Sequence, residues 1–234
     1  ETRLDDILRR FDRGGGQVIS KAEMPAEMRA LLHFPSAQAP RNFVGFRTAT
    51  RSVIGAGYPW EVGANEIPLL RALLRHWAVF ERIRFEARET EKAFFATMEA
   101  LALAAEFYDS ETALHVRRVG SYARLVAEEL GADGSFVKWI SKSAPMHDIG
   151  KITVPIELVR KPGRLTDEER RAMQAHAING SRLLANYPQL EMARNIAAFH
   201  HENVDGSGYP EGRRGEEVPL EARIVRVVDV YDAL

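Results

Sequence analysis

The chain contains no cysteine. That excludes disulfides, thiolate metal sites and thiol nucleophiles together, and it fits a reducing compartment. No apolar run approaches the roughly 18 residues of a membrane span. The N-terminus carries no apolar signal-peptide core, so the chain reads as cytoplasmic. Excess charge of either sign is lacking as well, with 32 Lys and Arg against 33 Asp and Glu and a formal net charge of -1. No global field then favours a nucleic acid polymer or an anionic membrane, and a phosphate ligand must be met locally. The sequence has no Gly-x-x-x-x-Gly-Lys-Ser/Thr loop, and Gly206-Ser207-Gly208 lacks the five-residue pattern of a nucleophile elbow.

What is present suits a folded protein, with 45% hydrophobic and 28% charged residues over 234 positions. That length allows one large domain, or a small one joined to a medium one, either able to bury a core. The last residue, Leu234, ends an apolar helix-like run without cap or tail, the pattern expected where a C-terminal piece is missing.

Three segments follow from the patterning. In residues 1–66, Gly14-Gly15-Gly16 and the stretch from Pro35 to Pro40 mark loops, while Phe43 to Ala56 alternates loosely around Val53 and Ile54. This is compatible with a small α+β module or with the remnant of a larger domain. In residues 67–106, Leu70, Leu73, Trp77, Phe80, Ala87, Phe94, Met98, Leu101 and Ala105 recur at three-four spacing. One long connector helix, or two with a break, is expected, paired with a second copy or packed within its own chain. In residues 107–234 the reading is helix upon helix. Gly131 stops one helix, and Thr166 with Glu169 forms a capping box that opens another to about Ala185. The run Ile224 to Val228 has strand propensity, yet Val225, Val228, Asp229 and Asp232 share a helical face, and the helical neighbourhood favours helix. The fold class expected is mainly α.

Five of the seven histidines fall in short clusters with carboxylates: His115, His147-Asp148, His176, His200-His201 and Asp229. Glu111 lies four residues before His115, on the same helical face. Neutral imidazole and carboxylate hold Fe, Mn or Zn, and these residues are too many for one ion. A carboxylate such as Asp148 can bridge two cations, and Lys151, one turn on, is placed for a phosphate oxygen. His176 alone would more often be structural, but metal-type residues on five successive segments ask the bland explanation to succeed five times. Two adjacent metals with a bridging water form a device for attacking a phosphodiester. The stretch Glu202 to Pro210, glycine-rich and directly after the double histidine, is a candidate lid or substrate wall.

These motifs resemble a known family. His147-Asp-Ile-Gly-Lys151, His176-x-x-x-Gly180 and His200-His-Glu-x-x-Asp-Gly-x-Gly-Tyr-Pro210 look like the HD-GYP branch of the HD phosphohydrolase superfamily. Asp109-x-x-Thr112-x-x-His115-x-x-Arg118-Val119 and Ile224-Val-Arg-Val-Val-Asp229-Val-Tyr-Asp232-Ala-Leu resemble its opening and closing motifs, and the likeness covers about residues 105–234. It implies an all-helical domain that hydrolyses the bacterial second messenger cyclic di-GMP to pGpG, GMP or both, by attack of a metal-bridging hydroxide. The implied metal ligands are His115, His147, Asp148, His176, His200, His201 and Asp229, with Asp148 bridging and Glu111 added where a third ion binds. Two or three divalent ions, Fe or Mn first, are the implied cofactors. Lys151 matches a phosphate contact, and Asp205, Gly208, Tyr209 and Pro210 belong to the substrate loop. Val53-Ile54-Gly55, Glu66 and Leu69-Leu70-Leu73-Leu74 look like the closing stretch of a GAF-type sensory domain. A homodimer through the connector helix and GGDEF-type signalling proteins are the implied partners. The competing readings are a catalytically weak cyclic di-GMP receptor and an HD hydrolase of another nucleotide. No ligand of the set is missing, which favours the enzyme over the receptor.

Overall fold

A computed structural model of the chain describes residues 17–20, 42–47, 52–56, 65–107 and 113–234. The chain divides into two compact units, residues 1–88 and 89–234, and the division falls inside a helix. Among the described residues no helix is long and apolar enough to cross a membrane.

In the first unit the backbone forms a three-stranded antiparallel sheet, β1 (Gln17–Ser20), β2 (Asn42–Arg47) and β3 (Ser52–Ala56), in sequence order. Ile19 pairs with Phe43 across the first ladder, and Phe46 with Val53 across the second. The strand expected around Val53 and Ile54 is therefore present.

Helix α1 (Glu66–Glu106) runs unbroken for 41 residues. It contains no glycine, and its one proline, Pro68, sits in the first turn, where the missing N–H costs nothing. The single unbroken helix is the one formed, and packing within its own chain is seen for its last turns. Leu69, Leu73, Trp77, Phe80 and Ile83 are more than half exposed, whereas Met98, Ala102 and Ala105 are buried.

The second unit is helical. After the last turns of α1 come α2 (Ala113–Glu129), α3 (Gly134–Ser143), α4 (Ile156–Val159), α5 (Asp167–Leu184), α6 (Glu191–Phe199) and α7 (Leu220–Asp232). Helix α2 buries Val116, Val119, Ala123 and Ala127 at the three-four spacing of one face. Asp133 caps α3, its carboxylate accepting from the amides of Ser135 and Phe136. Thr166 and Glu169 make both halves of the expected capping box on α5. The stretch after Pro219 is helical, as its neighbourhood favoured over its strand propensity. Of the apolar clusters among the described residues, the two largest flank the ligand-bearing helices. One gathers Met98, Ala102 and Ala105 with Val116, Met146, Ile149 and Ala197. The other gathers Val119, Ala123, Ile140, Ile196, Ile224, Val225 and Val228.

Between α3 and α4 the chain passes through two short 3-10 turns, Ala144–Met146 and Ile149–Thr153. Gly150 in the second lies so close to α5 that a Cβ there would come within 1.9 Å of the His176 carbonyl oxygen. Absence of a side chain at Gly150 thus sets His147 and Asp148 directly against the helix that bears His176.

Candidate metal centre

The five segments converge. Asp148, His176, His200 and His201 offer ligand atoms all within 4.8 Å of one another, and His115, His147 and Asp229 form a second such set. Asp148 stands between the sets. Its Oδ1 lies 3.2 Å from His176 Nε2 and 3.5 Å from His200 Nε2, while its Oδ2 lies 3.2 Å from His147 Nε2. Asp229 Oδ1 lies 3.7 Å from both His115 Nε2 and His147 Nε2. His200 and His201 face one set, with ring centroids 4.0 Å apart. His200 is the C-cap of α6 and His201 begins the turn beyond it, where the helical separation of neighbours no longer holds. Glu111 lies outside the described residues.

Hydrogen bonds decide which ring nitrogen faces the centre. Nδ1 of His147 meets the Ala144 carbonyl at 3.0 Å, Nδ1 of His176 the Met173 carbonyl at 2.8 Å, and Nδ1 of His200 the Ile196 carbonyl at 3.1 Å. A carbonyl only accepts, so each Nδ1 carries a hydrogen, and Nε2 is the nitrogen that faces inward. His115 Nδ1 meets Asp232 Oδ2 at 2.7 Å with the same consequence. His176 Nε2 and His200 Nε2 are 3.4 Å apart, a separation at which two lone pairs repel unless a proton or a cation lies between them. His147 Nε2 and Asp148 Oδ1 are buried without a well-directed hydrogen bond. Buried polar atoms in this state are costly, and a shared cation satisfies them together. The donor set therefore fits divalent metal.

The electrostatics agree. Burial depresses the His200 imidazole, and burial with the adjacent His200 depresses that of His201. Both rings are neutral, the form that ligates. Burial alone would raise Asp148, but His147 and Lys151 hold its carboxyl well below the usual range. Lys151 Nζ lies 2.8 Å from Asp148 Oδ2. His147 is the exception among the rings. Burial opposes its charge, yet Asp148 and then Asp229 outweigh it and raise the imidazole to about 9. It holds a proton where a cation would otherwise stand.

A profile of the HD domain matches residues 96–234, more than half of the chain. The chain belongs to the HD domain family. It is 42% identical over 156 residues to the cyclic di-GMP phosphodiesterase response regulator RpfG of Xanthomonas campestris, which covers 66% of this chain and 41% of that protein. To a cyclic di-GMP phosphodiesterase of Thermotoga maritima it is 43% identical over 148 residues, 62% of this chain and 40% of that one. To the 3'3'-cGAMP-specific phosphodiesterase 2 of Vibrio cholerae it is 35% identical over 188 residues, 78% of this chain and 35% of that one. The chain thus spans about two fifths of the length of these relatives or less.

Within this HD domain the loop after His201 is held by a residue of the double-histidine motif that was not among the expected site residues. Glu202 is buried, and its carboxylate accepts from the amides of Glu211, Gly212 and Arg213 at 2.7, 3.1 and 3.1 Å. Gly208 sits where a Cβ would come within 2.4 Å of the Asn203 amide and the His201 carbonyl. That close approach lays Tyr209 on His201, ring centroids 4.6 Å apart and nearly parallel. Burial and Asp148 both raise the Tyr209 hydroxyl, so it stays protonated and can donate. Pro210 follows across a cis peptide bond. Asp205 is exposed, and its carboxylate accepts from the Ser207 amide and hydroxyl, a turn-forming role.

Asp232 and Arg118 form an outer pair that was not among the expected site residues. Arg118 Nε and Nη2 donate to Asp232 at 2.5 and 2.8 Å, and Asp232 in turn orients His115. The signal was the spacing, because Arg118 follows His115 by three residues and Asp232 follows Asp229 by three. Asp232→Asn should weaken the ion held by His115, His147 and Asp229 by about 10–100-fold. The other set should remain filled. Elemental analysis across a metal titration checks this, and loss of both ions, or of neither, would contradict the assignment.

Proton competition at His147 gives a second expectation. Any ion bound by its Nε2 must displace the proton held up to about pH 9. Affinity should therefore rise with pH, about tenfold per unit for the one proton released, and level off above about pH 9. Calorimetric titration with Mn2+ in buffers of different ionisation enthalpy reads both the affinity and the proton. An affinity flat between pH 6.5 and 9 would leave His147 outside the metal set.

Proposed function

We propose that the chain is a metal-dependent phosphodiesterase that hydrolyses cyclic di-GMP to pGpG, GMP or both. The observation that supports this most is Asp148, whose two oxygens face two separate sets of converging ligands. Two divalent ions held there would supply Lewis acidity towards phosphorus and, by lowering the pKa of water from 15.7 to roughly 7, hydroxide at neutral pH. The nitrogen and oxygen donors, without sulfur, suit Fe or Mn. Glu111, four residues ahead of His115, is the candidate ligand for a third ion.

The chain's own groups divide the remaining work. His115, His147 and Asp229 would hold one ion and His176, His200 and His201 the other, with Asp148 placed to serve either. Lys151, now against Asp148, is positioned to donate to a phosphate oxygen and stabilise developing negative charge. Tyr209, protonated and stacked on His201, walls the substrate side together with Gly208 and Pro210. Asp205 serves that wall by shaping its turn. The relatives named for cyclic di-GMP support the substrate. A 3'3'-cGAMP substrate is the second reading, favoured by the Vibrio cholerae relative named for it. The exposed apolar positions Leu69, Leu73, Trp77 and Phe80 support a homodimer through α1, and GGDEF-type proteins are the signalling partners such an enzyme implies. A monomeric mass in solution at micromolar concentration would rule the dimer out.

Product analysis with protein purified without oxygen and loaded with metal tests the activity. Asp148→Ala should abolish turnover and lower the metal content. Lys151→Ala should keep both metals and lose about 100–1,000-fold in kcat/KM, the scale of one transition-state donor. Fully loaded protein that cleaves neither cyclic dinucleotide would refute the reading, and so would a phosphorylated protein intermediate.

A further inference from the structure

Arg226 stands on α7 three residues before Asp229, so the two side chains leave one face of the helix about one turn apart. The guanidinium is fixed from the loop side. Its Nε donates to Asn203 Oδ1 at 3.0 Å, and Asn203 Nδ2 donates to Ser207 Oγ at 3.0 Å. Asn203 and Ser207 belong to the loop that lays Tyr209 on His201. The charge of Arg226 acts on the Tyr209 hydroxyl alongside those of Asp148, Lys151 and Asp229, so all five groups share one neighbourhood.

Three other cations of the domain are already engaged. Arg118 is held by Asp232, Arg213 by Glu211 and the face of Phe199, and Lys151 by Asp148. Arg226 is half-buried and makes no ion pair among the described residues. A half-buried guanidinium beside a candidate active site, braced by a neutral amide and left without a carboxylate, is a site for an anion.

A cyclic dinucleotide has two phosphodiesters with one negative charge each. If one is attacked at the metal centre, the other still needs a counter-charge as it leaves water. We propose that Arg226 binds this second phosphodiester, Nη1 and Nη2 donating as a fork to its two non-bridging oxygens while Nε stays on Asn203. This deepens the cyclic dinucleotide reading above and rests on it. Arg226 then determines specificity, separating a cyclic dinucleotide from a diester with a single phosphate.

The test compares Arg226→Ala and Arg226→Lys with the parent, all metal-loaded, on cyclic di-GMP and on bis(p-nitrophenyl) phosphate, which has one phosphodiester. For Arg226→Ala, KM for cyclic di-GMP should rise by about one to two orders of magnitude, the loss of a charge-assisted hydrogen-bonded pair. Its metal content, thermal melting and rate on bis(p-nitrophenyl) phosphate should match the parent. Arg226→Lys should recover part of the affinity by restoring charge without the fork. An unchanged KM for cyclic di-GMP in Arg226→Ala overturns the inference and leaves the phosphodiesterase standing. An equal loss on both diesters, or a loss of metal, overturns it in favour of a structural role. If the parent cleaves bis(p-nitrophenyl) phosphate but no cyclic dinucleotide, the substrate reading fails and the inference falls with it.

Discussion

Imidazole nitrogens crowded with carboxylates in a dry interior have to be held in place from outside, and the architecture of this domain follows from gathering four such rings around Asp148 and Asp229. Each ring is turned by a bond on its outer nitrogen, to a carbonyl three or four residues earlier or to Asp232. The outer bonds cost the protein nothing in helix integrity, because the carbonyls involved lie on the same turn as the ring. The inner nitrogens of His176 and His200 face each other at 3.4 Å and crowd one oxygen of Asp148. A shared cation there would relieve that crowding and add to the counter-charge that Lys151 gives Asp148. Folding and metal binding would thereby be coupled through one cluster.

Precision at the cluster comes from what surrounds it. One apolar core packs α1 and α6 around Val116, the residue after His115, and the other packs α2, α3 and α7 around Val119 and Val225. The ligands are thus carried by elements held on both sides, and the irregular segment among them, His147-Asp148, is pinned where Gly150 meets α5. Helices give the long-range placement, and the two short 3-10 turns give Asp148 its position between sets that no single helix could span.

Much of this is visible in the sequence, because a ligand repeated on five segments survives the loss of any one clue. The capping box at Thr166 and the helical face through Val225, Val228 and Asp229 are local patterns, and local patterns are what a sequence displays. Partners that are distant in the chain are less readable. Arg118 and Asp232 are 114 residues apart, and each by itself resembles a solvated charge. Glu202 looked like part of the double-histidine motif, yet its work is on amides nine to eleven residues ahead. The stretch Phe136 to Ile140 mixes β-branched and aromatic residues that suit strand as well as helix, and the Asp133 cap with burial of Ile140 settles it. For α1 the spacing alone could not separate a buried stripe from an exposed one, since the same period continues from Leu69 to Ala105 while the surroundings change.

Glu202 has a wider bearing. Because its carboxylate gathers the amides of residues 211–213, the chain from Glu202 to Arg213 is closed into a ring, part covalent and part hydrogen-bonded. Residues 203–210 lie inside that ring, yet Tyr209 reaches back out of it, stacking on His201 while its amide donates to the His201 carbonyl at 3.3 Å. The loop and the double histidine are therefore one mechanical unit. A change of length inside the ring would be felt at His201 as well as in what the loop admits.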